Sequence, residues 1–309
     1  MEKTILIAID GSVYSNQSLT YAAAVFRDQP EINVTLMTCI VSSGGVIPEP
    51  ADRRHSLLPT NPALDKKISV AKRSLKKAEE KLVRLGFDPD RVSSSSHVSG
   101  INIAATIQHE VERLLVDAVL VGRRGLDRMS EALLGSVSSG LFKKCHSTPL
   151  WIIDGEVKSK NFLVPVDGSL PSLLAIDHLG HILADRTDIK IFLYHCSRFM
   201  GKKVTCDAQQ FYDRWEKKWC DDHLSGKGCL FNGPRILLAD SGIPEENIIV
   251  LPESMDLEES HGILRQAKKY DCGTVILGRR GVGMAKGLFG GVSDRMVKST
   301  QDMALWVVG

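Results

Sequence analysis

The chain is written twice. "TILIAIDGS" (Thr4–Ser12) returns as "NFLVPVDGS" (Asn161–Ser169), and "AVLVGRRG" (Ala118–Gly125) returns as "TVILGRRG" (Thr274–Gly281). "GSVSSGLFKK" (Gly135–Lys144) returns as "GGVSDRMVKS" (Gly290–Ser299), and "PLWII" (Pro149–Ile153) as "ALWVV" (Ala304–Val308). Asp10 to Asp167, Gly122 to Gly278, Val137 to Val292 and Trp151 to Trp306 are separated by 157, 156, 155 and 155 positions. Four ordered blocks at a nearly constant spacing mean two copies of one domain. A chain of 309 residues is long enough for each copy to bury a core of its own. The polar stretch "DGEVKSK", Asp154 to Lys160, divides the copies and sets domains at 1–155 and 160–309.

Within the first copy, short apolar runs alternate with helical patterns. Ile5–Ile9 is apolar on both faces and ends at Asp-Gly-Ser, where Ser12 can cap a helix reaching about Phe26. Val34–Val41 reads as a second strand, followed by a Pro-, Gly- and Ser-rich loop over 42–62. A charged helix spans about Leu64 to Leu85, with Gly86 placed to end it. Its lysine-rich face, Lys66–Lys81, reads as solvated and supported by Glu79 and Glu80. Val92–Val98, being polar, reads as an edge strand; Ile103, Ile107, Val111, Leu114 and Leu115 have helical spacing; Ala118–Val121 and Leu150–Ile153 close the domain as strands. Continuous apolar strands separated by helices predict an α/β fold, a parallel sheet covered on both faces. In such sheets ligands lie at the carboxyl ends of the strands, near the point where strand order reverses.

Composition narrows the function. A net charge of +2 gives no electrostatic footprint for nucleic acid or a membrane surface, and no apolar run approaches a bilayer span. "MEKTILIAIDGS" enters a strand at once without a signal-peptide layout, so a cytoplasmic location is expected. Seven cysteines, an odd number without short regular spacing, read as mostly reduced thiols and not as a disulfide framework.

Chemistry concentrates in "VGRRGLDRMSEALLGSVSSG", Val121 to Gly140. Gly122 ends a buried strand, Gly125 permits a turn, and Gly135-Ser136 opens a helix with Lys143 and Lys144 at its far end. A helix start preceded by glycines offers free N–H groups to an anion. Ser136 and Ser138 add hydroxyls, and Arg123 and Arg124 can pair with phosphate oxygens. A bare strand–loop–helix connection with a capping serine fits the same residues, so both readings stand on local grounds. A Walker A loop is absent, the first strand ends in Asp-Gly-Ser in place of a dinucleotide fingerprint, and no G-x-S-x-G or H-E-x-x-H occurs. The phosphatases with two aspartates flanking one residue are excluded because Ala8 and Pro165 occupy the nucleophile position.

The spacing Gly122-x2-Gly125-x9-Gly135-Ser136, the Asp-Gly-Ser after strand one and the "LLGSVS" run (Leu133–Ser138) resemble the ATP-binding signature of the universal stress protein family. The resemblance extends over both copies, as in a tandem member. It implies two repeated, doubly wound, five-stranded parallel sheets (Rossmann-like α/β sandwiches) paired through their last strands, with dimers as the related assembly. It also implies binding of ATP or AMP, with Mg²⁺ as a candidate companion, and no strong turnover. Carried over residue by residue, Asp10 resembles the aspartate near ribose and adenine, with Ala8 beside it. Cys39, after Thr38, matches the backbone position at the adenine edge. Gly122, Arg123, Gly125, Gly135, Ser136, Val137 and Ser138 match the phosphate and ribose contacts. The second copy offers Pro165, Asp167, Cys196 (preceded by His195), Gly278, Arg279, Gly281, Gly290, Gly291, Val292 and Ser293. It departs from the pattern twice: Gly291 stands where a hydroxyl is expected, and eight residues instead of nine separate Gly281 from Gly290.

Other features have plainer readings. Asp10 and Asp167 also fit a turn or helix cap. Trp151 and Trp306 fit packing where the copies meet. His97, His109 and His261 have no ligand spacing. The second copy carries an insert, Cys206 to Cys229, whose Phe211, Trp215 and Trp219 at i, i+4 and i+8 predict an amphipathic helix. Cys206, Cys220, His223 and Cys229 leave a zinc site open as a minor alternative. The sequence therefore points to a nucleotide-binding regulator. A nucleotide-free interaction scaffold and a slow ATPase using Asp10, Ser136 or Ser138 are the rival readings.

Overall fold

The computed structural model describes residues 2–41, 62–100, 102–125, 134–198, 206–226, 228–279 and 291–309. These form two compact units, Met1–Ser130 with Leu134–Cys145, and Glu131–Leu133 with His146–Gly309.

In the first unit β1 (Lys3–Ala8) leads into α1 (Val13–Phe26), β2 (Ile32–Val41), α2 (Pro62–Arg84), β3 (Val92–Ser99), α3 (Ile103–Leu114), β4 (Ala118–Gly122) and α4 (Ser136–Lys144). The strands lie in the order β3-β2-β1-β4, and all three pairings are parallel. Ile5, Leu6 and Ile7 have no exposed surface, as expected for a central strand covered on both faces. β3 is the polar outer strand that its serines predict, pairing only with β2 among the described strands. Ser12 starts α1 by accepting the Ser15 N–H at 3.2 Å, and Asn102 starts α3 by accepting that of Ala105 at the same distance. α2 turns inward the stripe Ala71, Leu75, Ala78 and Leu82. It ends where Gly86 adopts φ +100°, which lets the Phe87 N–H close back on the Leu82 carbonyl at 3.1 Å.

The second unit begins with β5 (Leu150–Ile153) and β6 (Asn161–Pro165), followed by α5 (Leu170–Ile182), β7 (Lys190–Tyr194), β8 (Cys196–Arg198), α6 (Lys217–His223) and α7 (Cys229–Asp240). Then come β9 (Ile248–Val250), β10 (Ser254–Asp256), α8 (Glu259–Lys269), β11 (Cys272–Gly278), α9 (Val292–Ser299) and β12 (Ala304–Val308). Its sheet runs β5-β12-β11-β6-β7-β9, and β8 pairs separately with β10. Every pairing is parallel except β12 with β5. The last strands of the two sequence copies thus run antiparallel, with Trp306 opposite Trp151. Their indoles stack at 3.9 Å between centroids, 9° from coplanar, and both are fully buried. The Trp151 indole N–H donates to His178 Nε2 at 3.3 Å. β5 therefore belongs to the second compact unit although it is the fifth strand of the first copy.

The insert departs from expectation in two ways. Its aromatics do not share one helix. Ala208–Phe211 is a 3₁₀ turn, started by Asp207 accepting the Gln209 N–H at 3.0 Å, and a separate α6 follows from Lys217. Short polar residues that bond the local backbone break the pattern where periodicity alone would continue it. Phe211, Cys220 and Leu224 still pack together with Leu173, and Trp215 and Trp219 lie against them, so the apolar face exists without the single helix. The folding back brings the Cα atoms of Cys206 and Cys229 to 6.2 Å, and the two form a disulfide, the one departure from cysteines read as mostly reduced. That bond also removes both from any zinc set; the other five cysteines are free thiols.

Candidate functional site

In the first unit, chain order reverses between β1 and β4, and the candidate residues gather at the carboxyl ends of those two strands. Ala8 lies opposite Val121 of β4 on one side and Met37 of β2 on the other. Two residues on, Asp10 is exposed at the strand tip. Its Oδ1 accepts from the Ser12 N–H at 2.9 Å and the Ser15 hydroxyl at 3.0 Å, which fixes the turn into α1. A methyl on Gly125 would stand 2.5 Å from Asp10 Oδ2, so the aspartate and the glycine loop already share one small space.

Gly135 closes the other side of that space. Its N–H donates to the Arg123 carbonyl at 2.9 Å, and its Cα lies so close that a methyl there would sit 3.3 Å from Arg123 O and Arg124 Cα. α4 starts here with no side-chain cap and no acidic residue in its first turn. Ser136 is exposed, Val137 is half-buried, and Ser138 is buried. The Ser138 hydroxyl donates to the Gly122 carbonyl at 2.7 Å, so it braces the end of β4 against α4 and is turned away from solvent. The arginines also divide. Arg123 is 1% exposed, held in the interior. Arg124 donates from Nη1 to the Tyr14 hydroxyl at 3.2 Å and lies over the Tyr14 ring, 5.2 Å from its centroid. Tyr14 also meets Gly122, where a methyl would come within 2.9 Å of its Cβ. Sequence reasoning missed Tyr14, which has no spacing signal beyond its place one residue into α1.

Cys39 sits near the end of β2, in register with His97 of β3. Burial, and then the charge of Glu110, push its thiol up to about 12. It stays protonated at neutral pH, which suits a position presented through its backbone and not through its sulfur. Glu110 is buried on α3. Burial raises its carboxyl, but the Arg113 hydrogen bonds at 2.7 and 3.0 Å, with the charges of His97 and Arg113, hold it below the ordinary value. His97, which has no ligand spacing in the sequence, lies on β3 with Nδ1 3.6 Å from this carboxylate.

The described candidates of the second unit lie around the ends of β6 and β11 and the start of α9. Pro165 ends β6, and Asp167 Oδ1 accepts from the Ser169 N–H and hydroxyl at 3.0 and 2.6 Å. His195 Nδ1 is 2.6 Å from the Val166 carbonyl, and Cys196 opens β8. Gly278 meets the first turn of α5 so closely that a methyl would fall 2.1 Å from the Pro171 carbonyl oxygen. The Arg279 N–H donates to Val308 O at 2.6 Å. Gly281 and Gly290 lie outside the described residues, as does the eight-residue loop between them. Gly291 precedes α9, whose first turn holds Val292 and Ser293, and the Gly291 N–H donates to Asp294 Oδ2 at 3.0 Å. An acid three residues past a helix cap is the readable signal for that bond.

Among the described residues, no helix is long and apolar enough to cross a membrane, and no cluster of three metal-ligating side chains occurs. No curated protein matches the chain. A universal stress protein from Archaeoglobus fulgidus DSM 4304 has a similar structure, with a TM-score of 0.66 at 17% identity, over 99% of this chain and 97% of that one. A functionally unknown protein from Pseudomonas aeruginosa PAO1 superposes with a TM-score of 0.53 at 15% identity, over 99% and 92%. A universal stress protein solved in complex with cAMP covers 49% of this chain and 96% of its own, at 15% identity and a TM-score of 0.33. Residues 1–153 match the model of the Universal stress protein family.

Proposed function

We propose that the chain is a tandem universal stress protein, with domains at 1–155 and 160–309, that binds an adenine nucleotide and acts as a stress-response regulator. The nucleotide is ATP or AMP, with Mg²⁺ accompanying the phosphates. The site is the crevice between β1 and β4, with Ala8, Asp10 and Cys39 toward the nucleoside and Gly122, Gly125, Gly135, Ser136 and Val137 toward the phosphates. One observation carries this reading: α4 begins at Gly135 without a side-chain cap or a first-turn acid, next to the space shared by Gly125 and Asp10. Its N–H groups and the positive end of its dipole suit a phosphate. Ser138 serves this site by bracing the cradle. Arg123 supports it from the interior. The chain works in the cytoplasm, and turnover, if present, is slow.

The experiment denatures freshly purified protein and chromatographs what it releases, counting adenine nucleotide per chain. Retained nucleotide that is lost in Gly135→Asp, which puts a side chain and a negative charge in the phosphate path, supports the reading. An empty protein that also fails to take up added ATP with Mg²⁺ refutes it in favour of a nucleotide-free scaffold. Bound ATP that stays unchanged over hours removes the slow ATPase.

A further inference from the structure

We infer that the chain holds one nucleotide and not two, and that Asp294 closes the second cradle by supplying its own carboxylate at the start of α9. The inference rests on the nucleotide-binding reading of the first copy. The two copies have the same strand ends and the same glycines at Gly122 and Gly278, yet their helix starts differ in charge. In the first copy, the residue 155 positions before Asp294 is Ser139, and the first turn of α4 carries no acid. In the second, Asp294 Oδ2 accepts the Gly291 N–H at 3.0 Å. The donor that a phosphate would use already has an acceptor, and that acceptor is an anion placed where the helix dipole favours one.

The neighbouring helices carry the same difference. α3 packs against α4, is capped by Asn102 and has no acid in its first turn. α8 packs against α9 and starts with Glu258 as its cap and Glu259 as its first residue. Both glutamates face Arg295 of α9: Glu258 Oε1 lies 3.0 Å from Nε and Glu259 Oε2 lies 3.4 Å from Nη2. Arg295 is thus engaged by two carboxylates, and Asp294 adds a third negative charge. A polyphosphate entering here meets an occupied N–H and a surplus of like charge. One entering the first cradle finds the Gly135 N–H on the Arg123 carbonyl but meets no carboxylate in the first turn of α4.

The test is equilibrium dialysis of the full chain against ATP with Mg²⁺, counting nucleotide bound at saturation. The wild-type chain is expected to bind one per chain, Gly135→Asp none, and Asp294→Ser, which copies the first repeat, two. Asp294→Asn keeps the shape, removes the charge and is also expected to reach two; it stands in if the serine variant does not fold. A wild-type count of two overturns the inference, as does a single site that survives Gly135→Asp. A count that stays at one in a folded Asp294 variant overturns it as well. A wild-type count of zero refutes the nucleotide reading itself, and this inference falls with it.

Discussion

The two strand-end glycines make a paired test of how tightly each copy is built. A methyl on Gly278 would lie 2.1 Å from Pro171 O, 2.2 Å from Pro171 C and 2.6 Å from Ser172 N. Such contacts relax only near ~3.5 Å, so α5 or β11 would have to yield by roughly 1.4 Å. Neither yields easily. β11 lies between β12 and β6, and the first turn of α5 is tied by the Ser169 cap. Overpacking costs ~1–3 kcal/mol where neighbours can shift, and with backbone on both sides Gly278→Ala should cost about 3 kcal/mol. At Gly122 the nearest atoms are Tyr14 Cβ at 2.9 Å and Tyr14 C at 3.0 Å. Relief there needs roughly half an ångström, and Gly122→Ala should cost about 1 kcal/mol. All four tryptophans, at 151, 215, 219 and 306, lie in the second unit, so their fluorescence during urea unfolding reads that unit; far-ultraviolet circular dichroism reads the first as well. The reasoning is refuted if Gly278→Ala unfolds within ~0.5 kcal/mol of the parent by fluorescence, the range of a neutral surface change. It is equally refuted if Gly122→Ala proves the costlier of the two.

Two further outcomes follow from the second unit. Arg186 donates to Asp188 at 2.6 and 2.9 Å and Lys160 at 2.6 Å, and together they hold the carboxyl well below the ordinary range against the effect of burial. Because the folded value is depressed, the stabilisation is present above the unfolded value near ~3.9 and is lost as pH falls below it. Asp188→Asn should flatten the acid limb of stability against pH; an unchanged limb would count against the ion pair. Thiol titration of the denatured, unreduced chain should find five of seven cysteines reactive, and seven would disprove the Cys206–Cys229 bond. Reduction, or Cys206→Ser, should cost up to about 3 kcal/mol by freeing a loop of this length in the unfolded chain.

The repeat spacing and the apolar runs were enough to read the strands, because a strand covered on both faces has no polar position to hide it. Gly86 as a helix end and Ser12 as a cap were legible for the same local reason: one residue type fits one backbone demand. The site was less legible, since a motif fixes which residues gather and not which way they turn. The motif offers the Ser138 hydroxyl and the Arg123 guanidinium to a phosphate, yet Ser138 bonds Gly122 O and Arg123 is buried. The insert misled for a related reason. Aromatics at helical spacing mark a packed face, and Phe211 and Trp219 do pack there, but Asp207 at one end and Glu216 at the other start separate short segments. Pairing of Cys206 with Cys229 depends on that refolding of the insert, which no spacing rule contains.

The placement of β5 bears on how the chain can be divided. Cutting at the polar stretch between the copies would leave residues 160–309 with β12 stripped of its antiparallel neighbour, exposing a row of backbone donors and acceptors beside the Trp306 ring. An open edge of that kind recruits another strand. The readiest one is β12 of a second fragment, running antiparallel, with tryptophan again facing tryptophan. A half-chain prepared in this way would self-associate through the seam that the intact protein fills with its own residues 150–153, and its oligomeric state would be a property of the cut.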